Sequence, residues 1–289
     1  MRLLNAAALA FGVAVTAAVA ASALGRDSVQ YGAEVVTLVA LAACAALARS
    51  SARRPVRLAL VAFCLLLALG ALVKLIGHQL PLPNEPLGPN GCPPDNYRDY
   101  WRVEMYYGQA YESLRFAALA SAVHAVSMSP RRPHKWSPLK RLAIVSILAV
   151  TTMVGLYPLT EAIYDPGLQI ALAPAVLTLT AAVALALVGL SRIGERQHLP
   201  GLLLGASTIT ILVAAAFGVE ELSQIAGNAR FPVLTGNVIE ICVFAIESYP
   251  LSPPGLINLW VLTTALVIVA PAVLVWSVLN LDAPRNQAT

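Results

Sequence analysis

A chain of 289 residues of which 58% are hydrophobic and only 12% charged, with mean hydropathy +0.73, has about half the charge density of a soluble domain. That composition excludes a water-exposed globular fold, because too few polar side chains exist to cover it. The net charge of +4 and pI near 9.0 come from bases clustered between apolar runs, which is the pattern of membrane topology and not of nucleic-acid binding.

The expected fold class is therefore an all-α polytopic membrane protein. A hydrocarbon core about 30 Å thick needs roughly 20 apolar residues in helix, and eight runs meet that test: 3–24, 31–48, 58–76, 107–126, 142–163, 168–190, 202–222 and 256–279. None alternates with period two, so a closed barrel does not fit and helices must satisfy the backbone in lipid. The first run follows Arg2 and has small residues at Ala21 and Ala23, as a secretory signal would. Its apolar stretch exceeds the roughly 7–15 residues of a signal core, and it is read as an uncleaved first span.

Orientation follows from the short loops. Arg49, Arg53, Arg54 and Arg57 join the second and third spans, Arg131, Arg132, Lys135, Lys140 and Arg141 the fourth and fifth, and Arg192 and Arg196 the sixth and seventh; with Arg2 and Arg285 these are thirteen of the 19 Lys and Arg. The positive-inside rule makes those loops cytoplasmic, with both termini inside and the chain in the cell membrane. Asp27, Glu85, Asp95, Asp99, Glu104, Asp165, Glu240 and Glu247 then fall on the outer side. The partner implied is the lipid bilayer, anionic lipid included, with no nucleic acid.

Outer loops alternate short (25–30, 164–167) and long (78–105, 226–255). This suggests two four-helix halves, 1–127 and 142–289, joined by a basic cytoplasmic linker, 128–141. Lys74 and His78 near the end of the third span match Glu220 and Gln224 near the end of the seventh in spacing and depth, as the halves of a parallel-repeat transporter would.

The first long loop is stiffened by Pro81, Pro83, Pro86, Pro89, Pro93 and Pro94. Asp95-Asn96 then forms a helix start, and an uninterrupted helix over 95–127 would be roughly 50 Å long and project beyond the bilayer. Tyr97, Tyr100, Trp101, Tyr106, Tyr107 and Tyr111 fall where an outer aromatic belt belongs. In the second long loop, 237–249 is apolar but carries Glu240 and Glu247 on one face and is too short to span, so it reads as an interfacial or re-entrant helix; were it a ninth span, the C-terminus would move outside. Segments 95–107 and 226–255 are candidate docking sites for protein partners. Cys92 and Cys242, one in each long loop, are a candidate disulfide, whereas Cys44 and Cys64 lie within spans as small apolar side chains.

Charged groups inside a membrane cost roughly 2.5–3.5 kcal/mol at a helix centre and usually face the bundle or water. Here Glu34, Lys74, His78, Glu112, Arg115, Glu161, Glu220, Glu221 and Gln224 gather toward the outer side, which is the composition of an outward-facing polar cavity; the plainer reading is structural pairing and snorkelling to the interface. Glu112 and Arg115, three apart on one helix, can pair directly. Lys74 has no partner on its own helix and needs a carboxylate from another, Glu220 or Glu34.

Motifs for a defined chemistry are missing. The two-times-four layout with a cysteine in each long outer loop resembles haem A synthases, but the paired helix histidines of those enzymes are absent: His78 and His124 lie at opposite ends, and His134 and His198 are in cytoplasmic loops. Glu220-Glu221 is followed by Gln224 and Ile225 where a Glu-Glu intramembrane protease carries Arg, and Asp165 has no Gly-x-Gly-Asp partner. No cofactor or metal and no catalytic residue is implied. Three functions remain: a permease or channel-like component for a small polar or anionic solute or a proton; a non-catalytic subunit of a secretion, DNA-transport or respiratory complex; or an intramembrane enzyme on a lipid or isoprenoid using a carboxylate as acid or base.

Overall fold

Helices form wherever an apolar run is long enough, and proline sets several of their starts. The computed structural model describes residues 2–23, 27–48, 53–79, 95–129, 146, 148–153, 156–157, 166–192, 199–230 and 259–281. Its helices are α1 (Arg2–Ala23), α2 (Asp27–Leu47), α3 (Arg54–Gly77), α4 (Asp95–Met128), α5 (Pro166–Leu190), α6 (Leu199–Arg230) and α7 (Leu259–Leu281), and no strand occurs among the described residues. α3 opens with Pro55 in its first turn and closes at Gly77, where the His78 N–H bonds the Lys74 carbonyl at 2.9 Å. The predicted run 142–163 is described only in part, with 148–153 helical; segments 231–258 and 80–94, with Cys92 and Cys242, lie outside the described residues, as does Glu161.

Four stretches among the described residues are long and apolar enough to cross a membrane: Ser28–Leu47, Arg54–Gly77, Gly167–Leu190 and Leu199–Ser223. Shorter apolar stretches, Leu9–Ala18 and Ile268–Leu281, fall in α1 and α7. The long helix read over 95–127 is seen as α4, 34 residues, about 50 Å at 1.5 Å per residue.

Each helix packs on the next described one, α7 returns onto α1, and α4 and α6 touch across the interior. Side-chain contacts give the directions. A Cβ on Gly70 would stand 3.2 Å from the Tyr111 ring and one on Gly77 3.1 Å from Tyr107, so α3 and α4 run antiparallel. Leu222 lies against Gly108, and Glu112 and Arg115 against Gly218, which makes α4 and α6 antiparallel too. α4 and α5 are parallel: Gln109 Nε2 donates to the Ala171 carbonyl at one end (3.2 Å), and Arg192, just past α5, donates to the carbonyls of Ser129 (2.6 Å) and Ser127 (2.7 Å) at the other.

The core mixes fully buried large side chains, Leu60, Phe63, Leu172, Leu179, Leu212 and Leu274, with Ala118, Ala122, Ala175, Ala182 and Ala215. The small residues let helix axes approach closely, the main source of helix association where lipid removes the hydrophobic drive. The outward faces are as apolar as the centre. On α3, Leu58, Leu65, Leu69, Leu72 and Ile76 recur at helical spacing and are all exposed, where a helix facing water would carry polar side chains.

Candidate functional site

The polar residues collect at one end of the bundle because the helices that carry them start or stop there. α2 brings Glu34 from its N-terminal half and α4 brings Glu112 from its middle; α3 brings Lys74 from its last turn and α6 brings Glu221 from its C-terminal third. Lys74 Nζ meets Glu221 Oε1 at 2.7 Å, with the lysine side chain 20% and the glutamate 47% exposed. The ammonium also faces the rings of Tyr111, 4.5 Å from its centroid, and Tyr31, 5.9 Å. Tyr111 has a second cation against it, the Arg115 guanidinium at 5.2 Å. One ring thus lies against two positive charges and offers electron density to both.

Arg115 Nη1 donates to Glu112 Oε1 at 2.6 Å, the i, i+3 pair read from the sequence. Glu112 is only 2% exposed. Its second oxygen, Oε2, is buried without a hydrogen-bond partner among the described residues. The backbone at this point is held from α5, where Thr178 Oγ1 donates to the Glu112 carbonyl at 2.8 Å and to the Pro174 carbonyl at 3.0 Å. From α6, Gly218 lies so close that a Cβ there would be 2.7 Å from both Arg115 Nη1 and Glu112 Oε1.

Two clefts meet at this cluster. The outer, enclosing about 510 Å³ of space with its open mouth included, is lined by Tyr31, Lys74, His78, Tyr107, Tyr111, Glu112 and Glu221 among others. The deeper, about 620 Å³ on the same basis, is lined by Glu34, Phe63, Tyr111, Arg115, Thr210 and Pro271 among others. Tyr111 borders both. Pro271 cannot donate to the carbonyl four residues before it, so that stretch of α7 has one backbone acceptor released from the helix ladder. Glu34 accepts from Gln30 Nε2 at 3.2 Å and forms no ion pair among the described residues. His78, exposed at the rim, stands edge-on to Tyr31 with centroids 5.8 Å apart.

Of the residues singled out from the sequence, the structure brings together Glu34, Lys74, His78, Glu112, Arg115 and Glu221. The partner of Lys74 is Glu221 and not Glu220 or Glu34; consecutive helix positions differ by about 100°, so only one of the two adjacent glutamates faces α3, and Glu220 is exposed. Gln224 lies on α6 one turn beyond Glu220. Tyr107 and Tyr111, read as belt residues, face the cleft instead, whereas Tyr106 is 62% exposed and suits a belt. The signal for the inward pair was present: Gly70 and Gly77, seven apart on α3, supply the gaps that Tyr111 and Tyr107, four apart on α4, fill. Among the described residues no three His, Cys, Asp or Glu side chains are grouped so as to hold a metal ion. Comparison with protein-family models, curated proteins and solved structures finds no match to this chain.

Proposed function

We propose that this chain is a multi-pass protein of the cell membrane, with eight spans and both termini cytoplasmic, whose outer half is a permease- or channel-like chamber for a small polar or anionic solute or a proton. The parallel course of α4 and α5 supports the span count, since the chain must return across the bundle between 129 and 166, where the apolar run 142–163 lies. The orientation rests on Arg53, Arg54, Arg57 and Arg192 standing at the end opposite Lys74. Two four-helix halves accommodate the same order of elements.

The observation that carries the reading is the convergence of Glu34, Lys74, His78, Glu104, Glu112, Arg115 and Glu221 on two clefts that share Tyr111. Structural pairing needs only matched charges; here Glu34 is an extra carboxylate, and Glu112 keeps one oxygen unsatisfied. The test is reconstitution in liposomes holding a pH-sensitive dye, with proton flux and the entry of nitrate, acetate and phosphate followed separately. Flux of at least one above that of empty liposomes, cut at least tenfold by Lys74→Ala or Glu112→Gln in folded protein, is the result expected. Liposomes no leakier than empty ones for all four would sink the chamber and leave the chain as a subunit or a lipid enzyme.

A further inference from the structure

Resting on that reading of the chamber, we propose that the ion it handles is the proton, that Glu112 takes it up on Oε2, and that Arg115 answers by passing from Glu112 to Glu34. The two oxygens of Glu112 have opposite surroundings. Oε1 is held by Arg115 at 2.6 Å, while Oε2 is buried and has no partner among the described residues. One oxygen of the carboxyl group thus has a cation against it and the other has room to carry a proton. Glu104, in the same cleft, also has a buried Oε2, and the bond to Arg115 is what marks Glu112 out. Glu221 has its lysine and is half exposed, and Glu34 is bonded by an amide.

Arg115 stands between two carboxyl groups. It is bonded to Glu112, which lines the outer cleft, and itself lines the deeper cleft together with Glu34. The backbone of α4 is held there by Thr178 on α5, so any change of partner falls to the arginine side chain. The step is a proton transfer. A hydronium ion in the outer cleft gives its proton to Oε2, an O–H bond forms, the carboxylate becomes a neutral acid, and the water left behind returns to the cleft. Arg115 then lacks its counter-charge, and Glu34 is the other acidic side chain in its cleft. Loss of the proton reverses both movements.

The charged and titratable groups around Glu112 are Arg115, Tyr111, Tyr107 and Glu104 from α4, Lys74 and the following His78 from α3, Tyr31 and Glu34 from α2, and Glu221 from α6. Lys74 and Glu221 largely cancel by pairing. An imidazole has no carboxyl stretch, so His78 does not enter the measurement below.

The experiment is infrared difference spectroscopy of the purified full chain in liposomes between alkaline and acidic buffer, with no gradient applied. The result expected is a protonated-carboxyl stretch that appears on acidification, shifts in D2O and is missing from Glu112→Gln. In Glu34→Gln the band should persist, but Arg115 loses its second partner, so protonation should need a proton concentration about tenfold higher. Wild-type protein without such a band, or a band that survives in Glu112→Gln, would overturn the proposal. Should Glu112→Gln not fold, Glu112→Asp keeps a carboxyl in altered surroundings and must move the band; an unmoved band overturns the proposal equally. A Glu112-dependent band in a protein that carries nothing across the membrane would end the chamber reading and leave the switch standing. Flux with no band would do the reverse.

Discussion

Lys74 on α3 and Glu221 on α6, 147 residues apart in the chain, meet at 2.7 Å and tie together two helices that both pack on α4 and α7. Neither forms another ion pair among the described residues. Lys74→Ala leaves a half-exposed glutamate and should cost about 1 kcal/mol. Glu221→Ala leaves the more enclosed ammonium with only tyrosine rings and should cost about 1–2 kcal/mol. The double change should cost no more than the worse single one. A double-mutant cycle from thermal unfolding in detergent checks this; strictly additive losses would mean the pair contributes nothing.

Gly218 tests how tightly α6 is seated on the Glu112–Arg115 pair. A methyl group there meets two charged side-chain atoms at 2.7 Å, and the pair cannot retreat without losing its own short bond, so Gly218→Ala should destabilise by about 1–3 kcal/mol. Gly32→Ala is the control, since nothing lies within 4 Å of a Cβ at that site and replacing a helical glycine with alanine gains about 0.5–1 kcal/mol. Equal melting temperatures for the two variants would show that α6 can shift freely.

The helices were legible in the sequence because their cause is local. An apolar run of about 20 residues, bounded by Arg-Pro before α3 or Tyr-Asp-Pro-Gly before α5, needs no tertiary information to be read, and α4 could be traced from Asp95 because proline is absent until Pro130. The i, i+3 pair Glu112–Arg115 was legible for the same reason. What failed was anything that depended on helix rotation. Choosing Glu221 over Glu220 needs the phase of α6 against α3, and hydropathy does not report it because α6 is apolar on nearly every side. The inward turn of Tyr111 depends on Gly70 of another helix. The tight α5–α6 contact at Gly189, where a Cβ would stand 2.7 Å from Thr208, depends in the same way on the phase of two helices.

At the opposite end, Arg192 locks α5 to α4. It is 3% exposed and donates to two carbonyls left over at the end of α4, those of Ser127 and Ser129, which the helix itself cannot satisfy. Arg192→Ala should cost about 2–3 kcal/mol, since hydrogen bonds from charged groups contribute about 1.5–3 kcal/mol each and neighbours relax in part. Arg192→Lys should recover less than half of that, because an ammonium cannot place two donors as the guanidinium fork does. Thermal unfolding of both variants decides it; a lysine variant as stable as wild type would mean that charge alone matters.

The orientation can be checked without knowing the solute. Tyr106 is 62% exposed, next in the chain to Tyr107 of the outer cleft, and Arg53 is exposed just before α3, at the other end of the bundle. With the four native cysteines replaced, Tyr106→Cys should react with a membrane-impermeant maleimide on intact cells. Arg53→Cys should react only after the membrane is opened. Labelling of both from outside would mean that the chain does not hold these two sites on opposite faces of a membrane. The inverse pattern would turn the clefts toward the cytoplasm and overrule the arginine-rich loops as the guide to topology. The clefts and ion pairs would be unchanged by that inversion, but protons would then reach Glu112 from the cytoplasmic side.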